Sequence, residues 1–223
     1  MMLPEDRLVT FIRSLDSPLP KYLEKIRKEA VRTHVPIIRP EMVSLIGTLL
    51  ELKDPCRILE IGCAVGFSAL WMAHCTGPDC QITTVEMNRK RMEQARKNFD
   101  TCPGGEKIRL VFDDAANVIS RTGETFDFIF LDAAKGQYQL YYPQLRALLK
   151  EGGVLLCDNV LQSGDLLESR YAVERRNRTI HKRMRGFLFD CMHDPAMRST
   201  VLPVADGAVL CIKKWRRHEQ EKT

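Results

Sequence analysis

Three oxygen-bearing side chains stand where apolar runs end. Asp132 follows Phe128-Ile129-Phe130-Leu131, and Asp158-Asn159 follows Val154-Leu155-Leu156-Cys157. Two carboxylates and an amide oxygen are hard ligands, suited to Mg2+ or Ca2+ and poorly suited to zinc. Mg2+ keeps part of its water shell, so three protein ligands leave positions open for a substrate. One acid after a strand is ordinarily only a strand end. Two acids and an amide in that position make a metal site the better reading. Lys135 follows in Asp132-Ala133-Ala134-Lys135-Gly136-Gln137-Tyr138. A lysine beside a dication can assist deprotonation, hold a phosphate or remain a plain surface residue.

A second group begins at Glu60-Ile61-Gly62-Cys63-Ala64-Val65-Gly66-Phe67-Ser68. Gly62 and Gly66 let backbone approach a ligand closely at a strand-to-helix turn, and Ser68 near a helix N-terminus can hold a carboxylate such as that of an amino-acid ligand. The glycine spacing is not that of the dinucleotide fingerprint, and the Gly-Lys-Ser/Thr of a phosphate-binding loop is missing. Glu86 ends the next strand, where a carboxylate can accept hydrogen bonds from both hydroxyls of a ribose. NAD and S-adenosylmethionine both carry that ribose, so Glu86 alone does not separate them. Asp114-Ala115, after the third strand, can contact an adenine edge.

These positions imply the elements that hold them. Apolar spacing predicts helices over the first 50 or so residues, with Leu19, Leu23, Ile26 and Ala30 on one side and Pro40 opening a helix over 41–50. Strands then alternate with helices: strands at 57–61, 81–86, 107–112, 126–131 and 154–157, and helices at 67–75, 89–99, 115–120 and 138–149. A last strand pair, 198–204 and 207–213, surrounds Asp206-Gly207. The expectation is an α/β fold: a doubly wound, mostly parallel seven-stranded sheet with an N-terminal helical extension and an antiparallel edge. It divides into N-terminal helices over 1–52, a sheet core over 53–215 and a charged tail over 216–223. Ligands of such sheets bind at the carboxyl ends of the strands, where the residues above fall.

The 223 residues, 44% hydrophobic and 28% charged, suit one globular domain. No apolar run approaches the ~20 residues of a membrane span, and the N-terminus lacks a secretory pattern, so the expected location is the cytoplasm with no membrane partner. The eight cysteines form no C-x-x-C pair and are read mostly as small buried hydrophobes in a reducing compartment. The net charge of +5 is unevenly spread: residues 170–185 hold seven Lys or Arg against Glu174, and 213–217 add four more. At helical spacing Val173, Ile180, Met184, Phe187 and Cys191 share one face, and Arg175, Arg178, Lys182 and Arg185 the other. Such a helix packs by one side and offers a cationic stripe to an anionic partner, although many such faces are merely solvated.

Together these motifs resemble the catechol and caffeoyl-CoA type O-methyltransferases over roughly residues 30 to 215. The resemblance implies a class I methyltransferase with a Rossmann-like sheet. It places S-adenosylmethionine against Met42, Gly62, Ser68, Glu86, Asp114, Ala115 and Asp132, and a divalent cation, Mg2+, on Asp132, Asp158 and Asn159. Asp132 and Lys135 become the catalytic pair. The segments HVPII (34–38), DAAKGQYQ (132–139), DNVL (158–161), RRNRTIHKRM (175–184) and LPVADGAVL (202–210) are similar to the bacterial tRNA 5-hydroxyuridine methyltransferases. That implies a homodimer acting on the wobble uridine of tRNA, with the 5-methoxy nucleoside as product. Asp113 departs from the pattern, standing where glycine is expected. A 5-hydroxyuracil carries its hydroxyl beside the C4 carbonyl, an oxygen pair that can chelate one cation as a catechol does. The main alternative is a small-molecule catechol methyltransferase, which has no need of the basic helix. An NAD-linked dehydrogenase conflicts with the glycine spacing and the missing Tyr-x-x-x-Lys pair. An RNA-binding module without catalysis leaves Asp132, Asp158 and Asn159 unexplained.

Overall fold

The computed structural model describes residues 5–215. The tail expected over 216–223 lies outside them. Three helices lead into the sheet: α1 (Glu5–Ser14), α2 (Lys21–Arg32) and α3 (Pro40–Lys53). In α2 Leu23, Ile26 and Ala30 recur at helical spacing and are buried, while Glu24–Arg27 and Glu29–Arg32 pair on the outside. Pro40 occupies the first turn of α3, where its missing N–H costs nothing, and Asp54 closes the helix in the left-handed conformation. The rest alternates: β1 (Arg57–Ile61), α4 (Phe67–His74), β2 (Gln81–Glu86), α5 (Arg89–Thr101), β3 (Ile108–Phe112), α6 (Ala115–Arg121), β4 (Phe126–Leu131), α7 (Tyr138–Leu148), β5 (Leu149–Cys157), α8 (Arg178–His193), β6 (Met197–Leu202) and β7 (Ala208–Lys213).

The seven strands run in the order β3-β2-β1-β4-β5-β7-β6. β1 to β5 pair in parallel, and β7 is antiparallel to both its neighbours. The order reverses between β1 and β4, which opens a crevice above their carboxyl ends. Residues that alternate along a strand enter opposite layers. Ile58, Phe128 and Phe130 pack with α2, α3 and α4 on one face, and Leu59, Ile129 and Leu131 with α7 and α8 on the other. Among the described residues no helix is long and apolar enough to cross a membrane. All eight cysteines are free and five of them are buried, as expected of small hydrophobes.

Beyond shifts of one or two residues at element ends, three features differ from the sequence reading. β5 starts at Leu149 rather than 154, passing Gly152-Gly153 with a register shift against β4 between Phe126 and Phe128. The last two strands are joined by 203–207, a loop with Ala205 and Gly207 at positive φ, rather than by a two-residue turn. The basic helix was expected to hold 170–185, but α8 begins at Arg178 and runs to His193. Arg175–Asn177 is a separate 3-10 turn, so Val173 and Arg175 lie outside the helix on which the stripe was drawn. The Arg178 guanidinium explains the start: it donates to the carbonyls of Val173 and Tyr171 and fixes the preceding loop as a turn. Phe187 and Cys191 extend the buried face beyond Arg185.

Candidate active site

The β1–α4 turn passes three left-handed residues in five: Gly62, Ala64 and Gly66. Gly62 is obligatory on two counts. Its φ is +105°, and a Cβ there would stand 1.9 Å from the Asp132 carbonyl oxygen. This closeness, with the Asp132 N–H donating to Ile61 O at 2.9 Å, brings the ends of β1 and β4 to one point. Glu86 reaches the same turn from β2. Its Oε2 accepts from Ala64 N at 2.8 Å and its Oε1 from Asn88 N at 2.7 Å, so the carboxylate is aimed before any ligand arrives. Each oxygen retains a lone pair for a ribose hydroxyl.

The expected metal ligands come together. The Asn159 Nδ2 donates to Asp132 Oδ1 at 3.2 Å, and Asn159 N donates to Asp158 Oδ1 at 2.6 Å, with Asn159 at φ 58°. The Tyr138 hydroxyl is shared between the carbonyls of Leu131 and Asp158, 3.2 Å from each, and ties the ends of β4 and β5 together. Burial pushes the Asp158 carboxyl up to about 7, and the charge of Asp132 adds to it. Burial likewise raises Asp132, against the Asn159 hydrogen bond and the Lys135 charge. Two enclosed carboxylates that disfavour each other's charge, with an amide between them, fit a hard dication, which would relieve that repulsion. Among the described residues no three His, Cys, Asp or Glu side chains converge as a metal group, so what this site offers a cation is two acids and one amide.

Lys135 sits above this cluster on the 3-10 turn Lys135–Gln137, its Nζ 3.5 Å from Asp206 Oδ2. Asp206 was read from sequence only as a turn residue. The loop before β7 delivers it, bonded to the segment after Asn159 through Val160 N to Gly207 O and Leu161 N to Asp206 O. No sequence signal marked it, because its partner Lys135 is 71 positions away.

The cleft over these groups holds about 770 Å³ and is walled by Ile37, Arg39, Glu86, Arg91, Asp132 and Tyr141, among others. Gly62, Ala115, Asp158 and Asn159 also line it. Three expected cofactor residues do not. Met42 is fully buried on the core face of α3, and Ile37 and Arg39 stand at the wall in its place. Ser68 is buried, its hydroxyl on the side of Glu60. The Asp114 carboxylate accepts from Ala116 N at 2.8 Å, capping α6, and the neighbouring Asp113 lines the cleft instead. Asp113 has its own structural task where glycine was expected: its Oδ1 accepts from Asp114 N and from Asn117 Nδ2, which holds its carboxyl below the usual range. Arg39, Arg91 and Tyr141 were missed. Tyr141 lies within the helix expected over 138–149.

The basic residues divide. Arg178 is occupied with backbone carbonyls, and Arg185 donates to Leu166 O at 3.3 Å. Arg175 and Lys182 are exposed. Arg183 donates to Gly136 O at 3.0 Å, one residue from Lys135, and so attaches α8 to the rim of the cleft.

The family model described as O-methyltransferase matches residues 13–214. The caffeoyl-CoA O-methyltransferase of Petroselinum crispum is 30% identical over 176 residues, 74% of this chain and 72% of that protein. The catechol O-methyltransferase of Mycobacterium tuberculosis is 33% identical over 112 residues, half of this chain and 51% of that protein. The SAH-bound structure of a Podospora anserina methyltransferase superposes with a TM-score of 0.83 at 27% identity, over 97% of this chain and 99% of that one.

Proposed function

The chain belongs to the O-methyltransferase family, of the caffeoyl-CoA and catechol type, with S-adenosylmethionine as methyl donor, and on that premise we propose that it is a divalent-cation-dependent enzyme whose acceptor is the hydroxyl of 5-hydroxyuridine in tRNA. The observation that carries the RNA half is the anchoring of cationic α8 beside the catalytic lysine through Arg183 and Gly136. Asp132, Asp158 and Asn159 would hold the cation, Mg2+ by the hardness of the donors. When bound, it supplies the charge that lowers the acceptor hydroxyl's pKa and fixes its vicinal oxygen. The chain's own groups do the rest. Glu86, braced by Ala64 N and Asn88 N, orients the ribose of the donor. Lys135, which follows Asp132 and pairs with Asp206, would take the proton of the acceptor hydroxyl. Tyr138 keeps the ends of β4 and β5 in register, so that acceptor and methyl group meet in line. A homodimer as the working form belongs to the same proposal.

A second reading, a catechol-type small molecule as acceptor, is favoured by the named relatives from Petroselinum crispum and Mycobacterium tuberculosis. Competition decides between them. Offered labelled S-adenosylmethionine, hydroxylated tRNA and a catechol together, the enzyme should place label in tRNA, in a nucleoside with the mass of 5-methoxyuridine. Efficient labelling of the catechol with none in tRNA would establish the second reading.

A further inference from the structure

A groove of about 1080 Å³ runs between α2 and α5, on the opposite side of the cleft from α8. Leu19, Ile26, Val35 and Val65 contribute apolar lining. Its rim is cationic: Lys21, Lys25, Lys28 and Arg32 come from α2, and Lys90 and Arg91 from α5, against Glu24 and Glu29. Those two acids are already engaged, Glu24 by Arg27 and Lys28 and Glu29 by Arg32. Lys21, Lys25, Lys90 and Arg91 have no acidic partner among the described residues. Lys21 and Lys25 stand one helical turn apart, which sets their Cβ atoms about 5–6 Å from each other along the groove. A solvated basic face needs no such concavity, and cations left unpaired along one are arranged for a run of anions rather than a single one.

The groove adjoins the cleft. Arg91 lines both, and in the segment after α2 Val35 faces the groove while Pro36 and Ile37 line the cleft. Sheet order sets the separation. α5 packs on β2 and β3 at one edge, α8 on β6 at the other, and the cleft lies over β1 and β4 between them. A compact anionic substrate that fills the cleft cannot also reach both edges, whereas a nucleic-acid backbone can.

Resting on the tRNA reading above, we propose that the α2–α5 groove is a second phosphate track, and that the RNA substrate crosses the cleft with its backbone held by α8 on one side and by Lys21, Lys25 and Lys90 on the other. The test is binding of a fluorescent tRNA transcript by the full-length protein across a salt series, for wild type and for the triple variant Lys21→Gln/Lys25→Gln/Lys90→Gln. The three lysines are exposed and outside the cofactor cleft. Affinity for S-adenosylmethionine should therefore be unchanged, which also shows that the variant is folded. Affinity for tRNA should fall about tenfold or more at low salt. The log–log salt slope should fall by about 2, three phosphate contacts at ~0.7 each for a single strand. The matching Lys→Arg triple variant should bind like wild type. A glutamine variant with wild-type tRNA affinity and slope, while Arg175→Gln/Lys182→Gln on the other side loses binding, overturns the groove and leaves the tRNA reading standing. Wild-type protein with no salt-dependent affinity for tRNA overturns both.

Discussion

Glu60, on β1, is an acid with no access to solvent at all. Thr84 donates a hydrogen bond to its Oε2. Burial pushes its carboxyl up to about 7, opposed by the Ser68 and Thr84 hydroxyls and aided by the charges of Asp132 and Glu86. Because the folded value lies above the ordinary one near 4.5, the folded state binds this proton more tightly than the unfolded chain. Its contribution to stability is therefore full below about pH 4.5 and lost as pH rises through about 7. Glu60→Gln should remove that loss. The variant should gain up to about 3 kcal/mol over wild type at pH 8 relative to pH 5, read from chemical unfolding at the two values. Equal pH dependence in both proteins would contradict it. Residue types announced part of the site in advance: Asp132, Asp158 and Asn159 follow apolar runs too short for anything but buried strands, so their place at the ligand edge was legible. Met42 and Asp114 sit in the core and at the cap of α6 rather than on the cleft wall, because an apolar side chain on a helix and an acid before one each have a structural use that sequence does not separate from ligand contact.

Among the elements, strands were the more legible. β1, β2 and β4 have the expected bounds, since short runs rich in β-branched, aromatic or other apolar residues mark them. α8 was misplaced by eight residues at its start, from 170 to Arg178. Arginine suits helices and turns alike, and the deciding contacts, Arg178 to Val173 O and Tyr171 O, exist only once the chain has turned. The β1–α4 turn gives the sharpest element-scale expectation. Gly62→Ala meets the Asp132 carbonyl and demands φ +105° of an alanine. It should cost roughly 2–4 kcal/mol in denaturant unfolding and weaken binding of S-adenosylmethionine in calorimetry, because the turn that aims Glu86 must move. Wild-type stability with wild-type affinity would show that the turn yields freely.

At the scale of the whole molecule, one cleft lies over the ends of β1 and β4, between α5 at one edge of the sheet and α8 at the other. Parallel strands deliver the acids, the antiparallel β7 with its loop adds Asp206, and helices on both faces leave the strand ends open. The sheet class followed from the alternation of strands and helices. The loop that brings Asp206 to Lys135 did not, because long-range loop contacts have no local period. The cation site is tested most directly by methyl transfer from labelled S-adenosylmethionine with Mg2+, with excess EDTA, and in Asp158→Ala. The expected result is transfer with Mg2+, a fall of at least about 100-fold in EDTA that Mg2+ restores, and no recovery by Mg2+ in the folded Asp158→Ala protein. Undiminished transfer in excess EDTA, or a fully active Asp158→Ala enzyme, would contradict it.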